Sequence, residues 1–283
     1  MNSAELREAF NPTVNYYEDV GAVAEQLALQ RIPTGSLGLD IALGGGWPVG
    51  YTSEISGPPA IGTSTLALHG IAAAQKAFPD QIVMLYDTMG DFSPSYATAC
   101  GIDLKRLYLS QLPVKVPQET VSLSVVDPLT GHWWNTGQQT SLIITQLRTV
   151  LSGPYSDTGT VRTGMVDADV RVKLNVKKLV HGGILVHATV VHDSLNPGAG
   201  RVPAEYKIRY GQGIDSNDEL LRLALKYGVV WKQHNRYYFN NDGYRASTDN
   251  NLLGHGWRNA VQSLELYARH LIVESDVRRT AGI

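Results

Sequence analysis

The chain has 283 residues, 43% hydrophobic and 18% charged, with 28 glycines, 13 prolines and a single cysteine; the apolar share excludes a disordered chain and the dispersed glycine excludes collagen. Lys and Arg total 24 against 26 Asp and Glu, a net charge of −2, which argues against a strongly basic nucleic-acid coat or a membrane-surface protein but leaves room for a local basic strip. The lone Cys100 forms no internal disulfide and no Cys/His cluster has zinc spacing. The N-terminus MNSAELREAF has no apolar segment of the secretory kind, and no apolar run approaches the ~20 residues that span a bilayer, so the expected compartment is the cytoplasm.

In chain order, residues 1–32 read as an arm. Ser3 caps a first helix with Glu5 in its first turn, and Val20, Val23, Ala24 and Leu27 fall at i, i+3, i+4 and i+7, one apolar helical face. That face suits either packing on the chain's own core or docking on a neighbouring subunit. Residues 33–250 read as an α/β core. An apolar helix from Leu37 to Leu43 precedes a triple-glycine stop, TSEIS (52–56) is a strand, a Gly/Pro loop follows, and an Ala-rich helix runs from Ser64 to about Lys76. Strands follow at QIVMLYD (81–87), VSLSVVD (121–127), SLIITQ (141–146) and VRVKLNVKKL (170–179). This alternation implies a mainly parallel sheet flanked by helices. From residue 183 the pattern turns antiparallel, with ILVHATVVHD (184–193) and AEYKIRYG (204–211). A helix from Asn217 to Tyr227 leads to a small hairpin, VVWKQHNRYYF (229–239), expected to turn through NNDG. Residues 251–283 read as a helical tail, with one helix over 258–274 carrying Leu264, Leu266, Tyr267 and Leu271.

The chemistry should lie in GPPAIGTST (57–65). Gly57, four residues, Gly62 and then Thr63-Ser64 is the spacing of a phosphate-binding loop, except that Thr63 stands where Lys belongs. Glycines let backbone N–H groups curl round phosphate oxygens and the helix N-terminus adds partial positive charge. The Lys supplies the full charge that Thr63 lacks. Ser64 keeps the hydroxyl that ligates magnesium.

The stretch IPTGSLGLDIALGGGWPVGYTSEISGPPAIGTSTLALHGIAAAQ (32–75) resembles the core of the RecA recombinase family. The resemblance continues in SPSYATACGIDLKRLYLSQ (93–111), VVD (125–127), SLIITQLR (141–148), VRVKLNVKK (170–178), AEYKIRYGQGID (204–215) and ELLRLALKYGVVWKQHNRYYFNNDGYR (219–245), roughly residues 10–270 in all. It implies a RecA-like phosphate-loop core with a mainly parallel sheet and an antiparallel extension. It implies a nucleotide site of Gly57, Gly62, Thr63, Ser64 and Thr65, with Tyr96 stacking on adenine, Asp127 and Ser64 serving magnesium, and Gln146 sensing the γ-phosphate. The water-activating carboxylate belongs two residues after Asp87, where Met89 stands, and Asp91 substitutes only with a remodelled backbone. The family's two cross-subunit lysines correspond to His192 and Ser194. Lys76, at the far end of the loop helix, is badly placed to replace the missing Lys.

Two family segments are cut short, to LPVKVPQET (112–120) and PLTGHWWNTGQQT (128–140), which implies a compact sheet edge where a helix is lost. Trp133 and Trp134 in the second segment are candidates for base stacking or for covering that edge. The family's second DNA loop corresponds to 148–164, with Arg148 and Arg162 as phosphate contacts; Lys173, Lys177 and Lys178 extend a basic strip. The expectation is a divergent RecA-like protein of DNA recombination, repair or replication. It would bind single-stranded DNA or a DNA-processing partner (a polymerase, a nuclease or an active recombinase) and assemble as a homo-oligomer or filament through its arm. ATP or ADP with Mg2+ would be a structural ligand, not strictly required, and hydrolysis impaired or absent. The alternatives are an active DNA-dependent ATPase recombinase and a scaffold subunit that performs no strand chemistry.

Overall fold

The computed structural model describes residues 30–80, 82–87, 90–110, 120–126, 142–147, 168–196, 202–240, 252–264 and 267–283, with backbone alone at 82, 86, 120–126, 142–147 and 267–272. The arm helix expected before residue 30 lies outside them.

After a short strand β1 (Arg31–Ile32), helix α1 (Leu37–Leu43) is capped by Ser36, whose side chain accepts from the Leu39 N–H, and ends at Gly44 in the left-handed conformation, as the glycine run predicts. The short β2 (Trp47–Pro48) pairs with β1. Strand β3 (Thr52–Gly57) then enters the centre of the molecule, and Ser53, Glu54, Ile55 and Ser56 are all buried. Burial on both faces is the signature of an inner strand. Helix α2 (Thr63–Ala77) follows, rich in Ala and buried over most of its circumference. Then come β4 (Ile82–Tyr86), α3 (Pro94–Ala99) with Ser93 as cap and Pro94 at its first position, and β5 (Leu107–Ser110). Strands β6 (Thr120–Val126), β7 (Leu142–Leu147), β8 (Val170–Val180), β9 (Gly183–Asp193), β10 (Ala204–Arg209) and β11 (Gly213–Ile214) complete the main sheet.

Among the described residues the sheet has nine strands in the order β11-β10-β9-β8-β3-β7-β6-β4-β5. Only β3–β7, β3–β8 and β4–β5 are parallel, and the other five pairings are antiparallel, so the sheet is mixed where the alternation of elements implied a mainly parallel one. Strand β6 accounts for much of the difference. It sits between β4 and β7 and runs against both. The nine residues 111–119 between β5 and β6 fall short of the dozen or so that a parallel crossover with its helix needs, so the chain returns antiparallel. The trimmed segment seen in the sequence thus reverses a strand rather than merely thinning an edge.

Helix α4 (Ser216–Lys226) is capped by Asp215 and leads to a three-stranded sheet of β12 (Val230–Gln233), β13 (Arg236–Phe239) and β14 (Leu252–His255). The β12–β13 hairpin turns at His234 and Asn235, with His234 at φ 52°, not through the NNDG that follows β13. Helix α5 (Gly256–Ser263) ends before α6 (Tyr267–Ala281), so the single tail helix expected over 258–274 is two.

Two apolar cores result. The first joins Ile55, Leu66 and Ile71 to Val172, Val186 and Tyr206 across β3, α2 and the β8–β10 face. The second joins Leu220, Leu221 and Ala224 of α4 to Tyr237, Leu253, Val261, Val273 and Val277. The tail is therefore built into the same core as α4 and β12–β13, and residues 31–283 form one compact unit. No helix among the described residues is long and apolar enough to cross a membrane.

Candidate functional site

The loop between β3 and α2 lies at the centre of the sheet, at the carboxyl ends of β3, β4 and β7. Its two glycines are there for different reasons. A Cβ on Gly57 would stand 2.9 Å from the Leu174 carbonyl oxygen and from Ile61 Cγ2, so close packing against β8 demands the glycine. Gly62, the residue before α2, has φ 96°, and a Cβ there would meet Ile208 Cδ1 at 2.3 Å. Between them Ala60 sits at φ 60°, a left-handed conformation uncommon for a residue with a side chain. A strained turn feeding a helix whose first residue before it offers no capping side chain leaves the amides of the α2 N-terminus without that partner.

Thr63 is 3% exposed, so the side chain in the position of the lysine is turned into the protein. Ser64 is exposed. Thr65 is buried and its hydroxyl lies 2.8 Å from the Tyr96 hydroxyl, a hydrogen bond that ties α3 to the first turn of α2. Burial pushes the Tyr96 hydroxyl above its ordinary range, with Thr65 pulling the other way, so it stays neutral at physiological pH. A cavity of about 200 Å3 opens beside these residues, lined by Ser64, Leu68, Leu85, Asp87, Phe92 and Tyr96.

Asp87, directly after β4, is almost fully buried. Its two oxygens accept from the Gly90 N–H at 2.9 Å and the Phe92 N–H at 3.0 Å, so it shapes the turn into α3. Met89 lies outside the described residues. Asp91 is exposed at the rim of the cavity. Gln146 pairs with Ser56, one residue before Gly57, so β7 delivers it to the loop edge of the sheet. Asp127 lies outside the described residues, but β6 leads away from the loop: Val126 pairs with Ile82 at the start of β4, while Thr120 pairs with Gln146.

Of the residues proposed for DNA, Trp133, Trp134, Arg148 and Arg162 lie outside the described residues. Lys173, Lys177 and Lys178 are exposed on β8. Lys173 pairs with Ser56, and residues beyond it run on past the end of β3, so the strip stands above the phosphate-loop edge. Lys177 is the extra residue of a bulge against β9, and its reach to Glu205, which pairs with His187 opposite Asn175, puts it on the side of Lys173. Past that bulge Lys178 pairs with Leu185, two positions on from His187 and four from the Lys173 partner Thr189, so it too falls on the face of Lys173. Lys177 forms an ion pair with Glu205, which also lies 3.4 Å from His187 Nδ1. Partial burial raises the Glu205 carboxyl, but the Lys177 and His187 contacts outweigh it and hold it below its ordinary value. His192 pairs with Arg171 near the amino end of β8, and Ser194 donates to the Asp169 carbonyl at 3.2 Å, both at the edge opposite the chain's own loop.

The sequence did not reveal three features: Ile208 closing over Gly62, the Thr65–Tyr96 bond, and a buried polar cluster of Ser36, Asp40 and Glu219 behind α2. Asp40 in α1 carried a readable signal, an acid in an otherwise apolar helix.

A glycine-hinged loop that joins the central strand of an α/β sheet to a long buried helix defines a phosphate-loop class of protein. Comparisons specify which one. The family described as RecA N-terminal domain matches residues 19–130. The protein RecA of Bartonella tribocorum is 28% identical, covering 93% of this chain and 87% of its own. That of Bartonella bacilliformis is 30% identical over 90% and 84%, and that of Chlorobium chlorochromatii 31% identical over 73% and 71%. The chain belongs to the RecA family.

Proposed function

We propose that this RecA-family chain acts in DNA recombination or repair in the cytoplasm, binding single-stranded DNA or a DNA-processing partner, with ATP hydrolysis impaired or absent. The observation that carries the reading is Thr63, short, uncharged and buried where the loop's cation belongs. Gly57, Gly62, Thr63, Ser64 and Thr65 would hold phosphates through backbone N–H groups and the exposed Ser64 hydroxyl. Tyr96 would flank the base, and Gln146 would face the terminal phosphate from β7. ATP or ADP would supply charge and shape that order this edge. The magnesium set is less complete: the exposed Ser64 hydroxyl would serve it, but β6 turns its Val126 end to the opposite edge from the loop, and no group of three or more His, Cys, Asp or Glu side chains that could hold a metal occurs among the described residues. Assembly through the arm into a homo-oligomer or filament belongs to the same proposal.

Release of phosphate, with and without single-stranded DNA, tests it. The expected result is background turnover. Thr63→Lys should bind ATP more tightly yet stay near background, because catalytic groups acting together are non-additive and Met89 still offers no carboxylate. DNA-stimulated turnover of about 0.1 per second or faster in the unaltered chain would replace this reading with an active ATPase recombinase. The pairing of Lys177 with Glu205 favours a second reading, a scaffold or accessory subunit, because it withdraws one cation from the strip.

A further inference from the structure

Behind α2, on the side away from the 200 Å3 cavity, lies a cleft of about 720 Å3, lined among others by Asp40 of α1, His69 and Lys76 of α2, Glu219 of α4, and Glu274 and Arg278 of α6. Nothing in the nucleotide or DNA reading uses it. Two carboxylates are buried in its wall. Glu219 accepts from Ser36 Oγ at 2.6 Å, the Gly38 N–H at 2.9 Å and the Leu37 N–H at 3.2 Å, and so caps α1 from another helix. Asp40 accepts from the Thr34 N–H at 2.7 Å and, through its other oxygen, from Arg278 Nη2 at 3.4 Å. Arg278 also donates from Nε to Glu274 on its own helix at 2.8 Å.

Helix α6 reaches this cleft with its last turns. Val273 and Val277 are fully buried in the second core. Past Val277 the helix is polar, and Arg278 ties it to α1. We propose that Asp40 and Arg278 form a proton-controlled latch: with Asp40 ionised the last turns of α6 are strapped over the cleft, and with Asp40 neutral they are released. A guanidinium held by a carboxylate loses most of its attraction when that carboxylate takes up a proton, and among the described residues the Arg278 side chain then retains the pair with Glu274 on its own helix, which does not tie α6 to α1.

The surroundings place the switch near neutrality. Burial pushes Asp40 up to about 6, against the pull of the Thr34 N–H and Arg278. Burial pushes Glu219 higher, to about 8, with the Asp40 charge adding to it, so near pH 7 the proton of the pair resides on Glu219 and the charge on Asp40. The groups facing them from the other elements hold still over this range. Burial, then the Lys76 charge, lowers His69 to about 4, and its Nε2 accepts from the Ile214 N–H at 2.9 Å, so the ring is neutral. Burial raises Cys100 to about 11 and keeps Tyr206 protonated. The charged side chains of Lys76, Glu274 and Arg278 also line the cleft.

The latch and the fold respond to acid with opposite signs. Both carboxyls are raised on folding. Their contribution to stability is present at low pH and is lost as pH rises through about 6 for Asp40 and about 8 for Glu219. Acidification from pH 8 to 5 therefore strengthens the fold as a whole while it frees α6.

Hydrogen exchange of the full chain, corrected for intrinsic rates, tests this over residues 273–283. Protection should fall about two- to fivefold between pH 8 and 5, the worth of a partly exposed ion pair, with a midpoint near 6, while the melting temperature does not fall. Asp40→Asn keeps the acceptor for Thr34 and should hold the low protection at every pH. Arg278→Gln, at a partly exposed site that need not disturb folding, should do the same. A flat profile in the unaltered chain overturns the latch, as does a pH step that survives in Arg278→Gln.

Discussion

The two ends of α2 show opposite uses of polar chemistry. At its N-terminus the polar groups are backbone amides in a turn set by packing: Gly57 and Gly62 lie where only glycine fits, and the Thr63 side chain that follows is buried and neutral. Behind its C-terminal half, two ionisable side chains are kept out of water at considerable cost: Asp40 and Glu219 sit beside one another, held by hydrogen bonds to the start of α1, with one charge between them near pH 7. A loop shaped by glycines is fixed by packing against β8 and β10, and that packing persists whatever the next side chain does. A buried carboxylate persists only where its donors are paired. A backbone turn set by packing at one end, and buried acids sustained by their donors at the other, are separable by mutation.

The largest expected effect is at Glu219. Glu219→Ala removes the acceptor for Ser36 Oγ and for the Leu37 and Gly38 N–H groups, leaving buried donors without partners. Denaturant unfolding at pH 7 should show a loss of about 3 kcal/mol or more. Glu219→Gln keeps one acceptor oxygen and removes the titration, so its loss should be much smaller. It should also abolish part of the pH dependence: the unaltered chain should melt at progressively lower temperature as pH rises from about 5 to about 8, and the Gln variant should not follow. A variant whose melting temperature falls as steeply would mean that Glu219 is ionised throughout and that the comparison above misjudges its environment.

The loop end should be sensitive in another way. Gly62→Ala puts a side chain at φ 96° and drives a methyl into Ile208 Cδ1, a cost on the order of 1–3 kcal/mol. Adding Ile208→Val removes that methyl and should restore the contact part of the loss but not the backbone part. Full restoration in the double variant would show that packing alone, not the left-handed backbone, requires glycine here.

How much of this was legible in the sequence differs between the two ends. The loop was readable because glycine spacing is a local signal, and so were the strands that flank it: TSEIS, QIVMLYD and VRVKLNVKKL each form a strand within a residue or so of the expected bounds. The direction of β6 was not readable. VSLSVVD reads the same whichever way it runs in the sheet, and only the shortness of 111–119 carried the information. The break between α5 and α6 left no Gly or Pro to mark it, and the hairpin turn at His234 used residues that seldom signal one, while NNDG beside it signalled strongly. The acid cluster was illegible for a different reason. Ser36 and Glu219 are 183 positions apart, and nothing local announces that they meet.

The smallest expected effect concerns the strip above the loop, where the two kinds of polar site coincide. Lys173 and Lys177 share a face, but Lys177 is engaged by Glu205, whose carboxyl is held ionised by that contact. If the strip meets single-stranded DNA, each free cation that neutralises a phosphate contributes about 0.7 to the slope of log affinity against log salt. Lys173→Ala should flatten the slope by about that amount. Lys177→Ala should change the slope less, because its charge is already balanced, yet it should lower affinity by uncovering the Glu205 carboxylate beside the phosphates. Glu205→Gln is the sharper probe: it frees Lys177 and should strengthen binding and steepen the slope. Equal flattening by the two lysine variants, with no gain from Glu205→Gln, would show that the ion pair opens on DNA and that Lys177 acts as a free cation. An absence of binding at low salt in the unaltered chain would remove the strip from the DNA reading and leave β8 as the face of a scaffold.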